Sequence, residues 1–169
     1  MPYGTGDLAG RIHVANFFFA TCSGICTRLT ENLARMHAEI GWDSSVRLVS
    51  FSVTPEADTG SVLLEYASRQ GLDGKSWRLL TGDRKAIYSL ARLSCFADEG
   101  LGEETSDRDI LRTENVILVD GLLRIRGIYR GTLPLEMDKL AADIRRLQAE
   151  GLPSAMSWST RIQADLVVQ

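Results

Sequence analysis

The stretch NFFFATCSGIC, residues 16–26, decides how this chain folds. Its first half completes an apolar, β-branched and aromatic run from Ile12 to Phe19, and such a run is typical of a strand buried on both faces. Its second half is short and polar, contains a glycine, and carries Cys22 and Cys26. Apolar residues at helical spacing follow directly. The two cysteines are therefore predicted to lie at a junction between a buried strand and a helix.

Alternating strand and helix patterns continue along the rest of the chain. Helical spacing closed by glycine predicts the helices, and short β-branched runs predict the strands. In chain order these are a strand at 12–19, a helix at 26–40, a strand at 46–53, a helix at 61–70, a strand at 77–80, a helix at 86–93, a strand at 116–119, a hairpin strand at 123–129 and a helix at 135–149. The order favours an α/β fold with a central mixed sheet flanked by helices, a C-terminal β-hairpin and a closing helix. A thioredoxin-like fold fits it best.

The 169 residues are predicted to form a single domain. A composition of 44% hydrophobic and 24% charged residues is ordinary for one globular unit. We expect a core at about 8–150, a charged loop at 98–109 and a C-terminal extension at 151–169 that packs on the core. No apolar run approaches the roughly 18 residues that span a bilayer. The first residues lack a signal-peptide pattern, so either the protein is cytosolic or an upstream segment is missing.

Charge and cysteine content narrow the function classes. A net charge of -3 argues against nucleic acid as the main partner, because phosphate binding needs a concentrated positive field. Three cysteines are too few for a disulfide scaffold. Cys95 stands alone and is expected to be a buried hydrophobe, with a resolving or sensor thiol as the alternative.

Asp58 is expected to cap the helix that starts at Ser61 rather than to act as a catalytic acid.

The junction that holds Cys22 and Cys26 has its own electrostatics. Backbone N–H groups at a helix N-terminus are unpaired and favour negative charge, so a thiol there should ionise more easily. If the turn is helical, the four-residue spacing puts both sulfurs on one face with Cα atoms about 6 Å apart. A reversible disulfide and a two-sulfur metal chelate are then both feasible. Two buried structural cysteines remain the alternative.

Residues 16–26 also resemble the strand and CxxxC motif of the Sco/SenC family, the thioredoxin-like copper chaperones of cytochrome c oxidase assembly. The resemblance continues in the same order through further segments, namely 52–59 (SVTPEADT), Trp77 with 80–82, and 113–115 through 126–132. Together these cover most of residues 8–150. Several spaced matches in order are far more specific than a CxxxC motif alone.

The resemblance implies a function and a setting. It implies a protein on the periplasmic side of the inner membrane, anchored by an upstream segment, whose Cys22/Cys26 redox pair acts in copper-site and cytochrome c oxidase assembly. Thiol–disulfide exchange with weak Cu(I) binding is the expected chemistry. The expected partner is a copper-site subunit of the oxidase or another copper or thiol carrier. A metal-free thiol–disulfide oxidoreductase and a non-catalytic adaptor are the alternatives.

Two departures from the family pattern bear on the site. The family usually has proline after each cysteine, and this chain has Ser23 and Thr27 there, a mild change in loop stiffness. The family's third copper ligand is a histidine, and Arg112 occupies that position. Arginine stays protonated and cannot bind a metal. Close to a sulfur its charge would instead stabilise a thiolate, and the alternative is a surface pair with Glu114 or Asp109.

Neither histidine of the chain is expected to replace the missing ligand. His37 follows Cys26 by 11 residues on the same predicted helix, which corresponds to roughly 16 Å. His13 precedes Cys22 by nine residues of mostly extended chain, so several strand steps separate them. Cu(I) is soft and prefers thiolates, so the two cysteines alone could still hold it, more weakly and with an open position.

Overall fold

The structure, a computed structural model, describes residues 5–22, 24–40, 45–72, 74–95 and 114–151, with the backbone alone at 5–6 and 91–95. The elements in chain order are α1 (Thr5–Leu8), β1 (Ile12–Phe18), α2 (Ile25–Ile40), β2 (Val46–Ser52), α3 (Gly60–Gln70), β3 (Trp77–Leu80), α4 (Arg84–Cys95), β4 (Asn115–Val119), β5 (Ile125–Arg130) and α5 (Pro134–Glu150). The predicted loop at 98–109 and residues 152–169 of the predicted extension lie outside the described residues.

The five strands form one mixed sheet in the order β3-β2-β1-β4-β5. β1 runs parallel to β2, and β2 runs parallel to β3. β4 runs antiparallel to both β1 and β5. The predicted mixed sheet, C-terminal hairpin and closing helix are therefore confirmed. Because β1 is the central strand, its carboxyl end delivers residues 19–22 to the middle of one end of the sheet.

Helices cover the sheet on both faces. Leu29 and Leu33 of α2 and Ile144 of α5 are buried together on one face. Ile87 of α4 packs with Phe17 of β1 on the opposite face, since successive strand residues point to opposite sides. β1 is thus buried on both sides, as its apolar sequence predicts. Among the described residues, no helix has the length and apolar character needed to cross a bilayer.

The turn between β4 and β5 is longer than predicted, so β5 begins at Ile125 rather than at residue 123. The side chain of Asp120 shapes this turn. Its Oδ1 accepts hydrogen bonds from the backbone N–H groups of Leu122 at 2.9 Å and Arg124 at 3.0 Å. Leu123 adopts a left-handed φ of 59° within it. The alternating apolar pattern that predicts the strand contains no information about these side-chain bonds.

Candidate functional site: the Cys22 and Cys26 pair

Cys22 and Cys26 lie between the end of β1 and the first turn of α2, and both are free thiols. Cys22 is half-buried, whereas Cys26 is buried and only 7% exposed. α2 starts at Ile25, so Cys26 is helical and Cys22 is not. Gly24 separates them with a φ of 144°, and its carbonyl accepts a hydrogen bond from the N–H of Arg28 at 3.0 Å. The condition under which both sulfurs would share one helical face, a helical turn containing both cysteines, is therefore not met.

The hydroxyl of Thr27 holds the backbone of Cys22. Thr27 Oγ1 donates a hydrogen bond to the carbonyl oxygen of Cys22 at 3.2 Å. The N–H of Cys22 donates to the carbonyl of Phe19, also at 3.2 Å, so both backbone polar groups of Cys22 are bonded. Proline, which the resembled family usually has at position 27, has no hydroxyl and could not make the first bond. Replacing it with threonine exchanges ring stiffness for a hydrogen-bonded restraint.

Asp58 ties the start of the cysteine loop to the end of β2. The residue is fully buried at 0% exposure. Its Oδ2 accepts hydrogen bonds from the N–H of Ala20 at 3.1 Å, the hydroxyl of Ser52 at 2.6 Å and the hydroxyl of Thr54 at 3.1 Å. The N-cap of α3 is Thr59, and no side-chain cap bond is made there. The expected helix-capping role of Asp58 is therefore wrong, because its carboxylate anchors the loop instead.

The surroundings of the inner thiol, Cys26, change its acidity. Burial raises the pKa of Cys26 well above its usual range, and the adjacent Cys22 side chain raises that pKa further. This interaction also indicates that the two side chains lie close together. The expectation of easier ionisation is wrong for Cys26, because desolvation of a buried thiolate outweighs the helix N-terminus. Cys26 is thus a protonated inner thiol at neutral pH, and Cys22 is the thiol that solvent reaches.

A buried phenol lies within electrostatic range of the pair, and the sequence analysis missed it. The hydroxyls of Tyr66 on α3 and Thr30 on α2 are 2.9 Å apart and hydrogen-bonded. Burial raises the pKa of Tyr66, its hydrogen bond with Thr30 lowers it, and a thiolate at Cys26 or Cys22 would raise it. The available signal was Thr30, a polar residue one helical turn after Cys26 on the buried face of α2. No local pattern identifies Tyr66 as its partner.

Neither histidine approaches the cysteine pair, in agreement with the sequence analysis. His13 lies at the start of β1, where its backbone is in register with Arg47 of β2, at the opposite end of β1 from Cys22. His37 lies near the end of α2, where its Nε2 is 2.7 Å from the hydroxyl of Ser76. Within the described ranges, no group of three or more His, Cys, Asp or Glu side chains could hold a metal ion. The part of the chain that the structure describes offers a soft metal two sulfurs.

The third predicted site residue, Arg112, lies outside the described residues, as does the side chain of Cys95 at the end of α4. The description resumes at Glu114, immediately before β4. In the antiparallel pair of β1 and β4, Val116 stands opposite Asn16. The start of β4 therefore lies beside the end of β1, at the end of the sheet that carries the cysteines.

A set of hydrogen bonds links the start of β4 to the cysteine helix. The side-chain amide of Asn32 on α2 donates to the carbonyl of Gly131 at 2.8 Å, and the N–H of Gly131 donates to the carbonyl of Glu114 at 2.8 Å. The hydroxyl of Thr132 also donates to the Glu114 carboxylate. A Cβ at Gly131 would collide with the Leu29 side chain and lie 2.8 Å from Val116 Cγ2, so any larger residue would force these neighbours to shift.

Comparison with known proteins decides the family. The family model described as SCO1/SenC matches residues 2–149. The chain belongs to the SCO1/SenC family. It is 25% identical over 140 residues to the SCO1 protein homolog of Bacillus subtilis, with 82% of this chain and 72% of that protein covered.

Solved structures of SCO1/SenC relatives share the fold. A SCO1/SenC family lipoprotein from Bacillus anthracis has a TM-score of 0.69 and 27% identity, with 87% of each chain covered. The copper-bound ScoI of Arabidopsis thaliana has a TM-score of 0.63 and 26% identity, with 83% of this chain and 88% of that chain covered. These neighbours and the mixed sheet confirm both the predicted family and the predicted thioredoxin-like fold.

Proposed function

We propose that this SCO1/SenC-family protein carries out thiol–disulfide exchange through Cys22 and Cys26 during assembly of the copper site of cytochrome c oxidase. The observation that carries the proposal is the asymmetry of the pair. Cys22 is half-buried, Cys26 is buried, and the two thiols interact at one end of the sheet. A partner sulfur can therefore reach Cys22, and the buried Cys26 thiol is close enough to react with Cys22 afterwards.

The proposed exchange moves two electrons from this pair to a partner disulfide. The Cys22 thiolate attacks one partner sulfur, a mixed disulfide forms, and the other partner sulfur leaves as a thiolate that takes up a proton. Cys26 then loses its proton and attacks the Cys22 sulfur, so that the intramolecular disulfide forms and the second partner sulfur leaves and is protonated. The partner gains two electrons and two protons, and the pair loses them. The raised pKa of Cys26 keeps it a thiol until the mixed disulfide is present.

Copper enters this proposal as cargo. Two thiolates suit the soft Cu(I) ion, and the similar ScoI structure from Arabidopsis thaliana is described as copper-bound. The position that the family resemblance assigns to a histidine ligand holds Arg112, which cannot coordinate a metal. We therefore expect Cys22 and Cys26 to bind Cu(I) more weakly than a three-ligand site, with thiol exchange as the main chemistry.

Arg112 is proposed to favour the thiolate form of the exposed cysteine. The start of β4 lies beside the end of β1, which supports a location of the segment before Glu114 at the cysteine end of the sheet. A fixed positive charge near Cys22 would stabilise its thiolate and oppose entry of a copper cation. A surface ion pair with Glu114 or Asp109 is the competing role.

Family membership also suggests the setting. We propose that residues 1–169 form one thioredoxin-like domain that acts on the periplasmic side of the inner membrane and is tethered by an upstream segment. The description of the Bacillus anthracis relative as a lipoprotein supports the tether. The proposed partner is a copper-site subunit of cytochrome c oxidase or another copper or thiol carrier.

The test joins a redox titration to a Cu(I) competition titration on the full chain. In redox buffers, the wild type should form a reversible disulfide between Cys22 and Cys26, detected as a mass difference after alkylation. Cys26→Ser should instead accumulate a mixed disulfide at Cys22, because no inner thiol resolves it. Arg112→His should bind Cu(I) about tenfold more tightly or better, since an imidazole can supply the third ligand.

Each result separates the candidate functions. A bridge to Cys95, or three alkylatable thiols under every oxidising condition, would contradict the exchange and favour the non-catalytic adaptor. A wild type that binds Cu(I) as tightly as Arg112→His would show that another residue completes the site and that the role given to Arg112 is wrong. A reversible disulfide without measurable Cu(I) binding would identify a metal-free oxidoreductase.

A further inference from the structure

We propose that Thr27 is a positioning residue for this exchange: its hydroxyl holds the Cys22 backbone against the first turn of α2 and thereby favours closure of the Cys22–Cys26 disulfide. The inference rests on the proposed thiol–disulfide function and names a residue that tunes it. Thr27 makes and breaks no covalent bond. It acts through the carbonyl oxygen of Cys22, to which its Oγ1 donates at 3.2 Å.

The hydrogen bond joins two parts of the chain that the helix itself does not join. Cys26 and Thr27 belong to the first turn of α2, whereas Cys22 precedes the helix. Gly24 lies between them with a φ of 144°. Glycine leaves the backbone free to rotate, so the covalent chain alone holds Cys22 loosely relative to Cys26. The bond from Thr27 removes part of that freedom.

This restraint should act on the redox equilibrium because a disulfide tolerates little variation in geometry. The two Cα atoms must lie about 4.4–6.8 Å apart with a defined torsion about the sulfurs. A loop that is already ordered in the dithiol state loses less conformational entropy when the bridge closes. The Thr27 bond is present while both cysteines are free thiols, so it orders the loop before oxidation. With the same bond kept in the disulfide form, its loss should shift the equilibrium towards the dithiol.

The measurable reaction is exchange with glutathione. One dithiol form of the protein and one glutathione disulfide give one Cys22–Cys26 disulfide and two glutathione thiols, so electrons and protons balance. The ratio of the two protein forms at a series of glutathione ratios gives the equilibrium constant and hence the reduction potential. Alkylation followed by mass spectrometry counts each form in the full chain.

Three variants isolate the hydroxyl. Thr27→Val keeps a β-branched side chain but removes the donor, and Thr27→Ser restores the donor. Thr59→Val is the matched control, because Thr59 is exposed and its hydroxyl bonds to Ser61. For Thr27→Val we expect an equilibrium constant for disulfide formation about fivefold lower, the scale of the conformational entropy lost in ordering the backbone of one residue. This corresponds to a potential about 20 mV less negative, at about 30 mV per tenfold change. The other two variants should retain the wild-type potential.

The outcomes distinguish this inference from the function on which it rests. An unchanged or more negative potential in Thr27→Val would overturn the role of Thr27 and leave the exchange function intact. A Thr27→Ser variant that behaves like Thr27→Val would overturn it too, because the hydroxyl would then not be the cause. Failure of the wild type to form a reversible Cys22–Cys26 disulfide would remove the function itself.

Discussion

His13 should make the stability of the fold depend on pH below neutrality. Its ring is 2% exposed on the central strand. Burial lowers the pKa of His13 from 6.5 to about 4; a hydrogen bond with the Arg11 backbone opposes this shift, and the charges of Arg11 and Arg47 add to it. The cause is desolvation, since a buried imidazolium loses the water that stabilises its charge.

The magnitude follows from the two pKa values. Between pH 6.5 and about 4, the unfolded chain binds a proton at His13 that the folded chain does not bind. The free energy of unfolding therefore falls as the pH falls through this window, and it is fully retained above pH 6.5. The full difference between the folded and unfolded pKa values of His13 corresponds to about 3 kcal/mol in the free energy of unfolding. About 2 kcal/mol of it should be lost between about pH 7 and about pH 5.

His13→Leu is the informative variant, because it removes the titrating ring and keeps an apolar side chain of similar volume at a buried position. Urea unfolding of the reduced proteins at both pH values, followed by tryptophan fluorescence, gives the free energies; Trp77 is buried and reports on the core. The carboxylates are the same in both proteins, so their effect on the pH dependence of the free energy of unfolding cancels when the two proteins are compared. The wild type should lose about 2 kcal/mol more than the variant on acidification. Equal losses would refute the account of His13.

Two further substitutions test the packing and the loop anchor by urea unfolding at neutral pH. Gly131→Ala should lower the free energy of unfolding by about 1–3 kcal/mol, because the new Cβ would lie 2.8 Å from Val116 Cγ2. Gly82→Ala, where nothing lies within 4 Å, should change it by less than about 0.5 kcal/mol, and equal effects would contradict the steric reason. Asp58→Ala should cost about 3 kcal/mol, since each of three donors left without its acceptor costs about 1 kcal/mol. Asp83→Ala, which removes one exposed bond at the start of α4, should cost about 1 kcal/mol, and a larger cost there than at Asp58 would argue against the anchor.

Most of the regular structure could be predicted because its signals are local. The strand predicted at 77–80 has the bounds of β3, and the helix predicted at 26–40 differs from α2 by one residue. Apolar periodicity and a closing glycine depend on neighbours within a few residues, which the sequence displays directly. The β4–β5 turn was less predictable, because the Asp120 side chain forms it through bonds that periodicity does not encode.

The candidate site was predictable in position but not in chemistry. Cys22 and Cys26 lie at the predicted junction, yet their unequal burial follows from the start of α2 at Ile25 and from what packs against it. The helix-capping interpretation of Asp58 failed for a similar reason. The carboxylate binds the N–H of Ala20, which is 38 residues away in the chain, rather than the nearby start of α3.

The sequence by itself determined the strand-to-helix junction, the two cysteines on it, the SCO1/SenC motifs around it and the arginine at position 112. The tertiary structure alone decided that Cys26 is the inner, weakly acidic thiol, that Thr27 holds the Cys22 backbone, and that the buried His13 ring stays neutral. The physical reason is that side-chain chemistry depends on desolvation and on hydrogen-bond partners. Both are set by which distant elements pack together, whereas backbone conformation responds to residues close by in the chain.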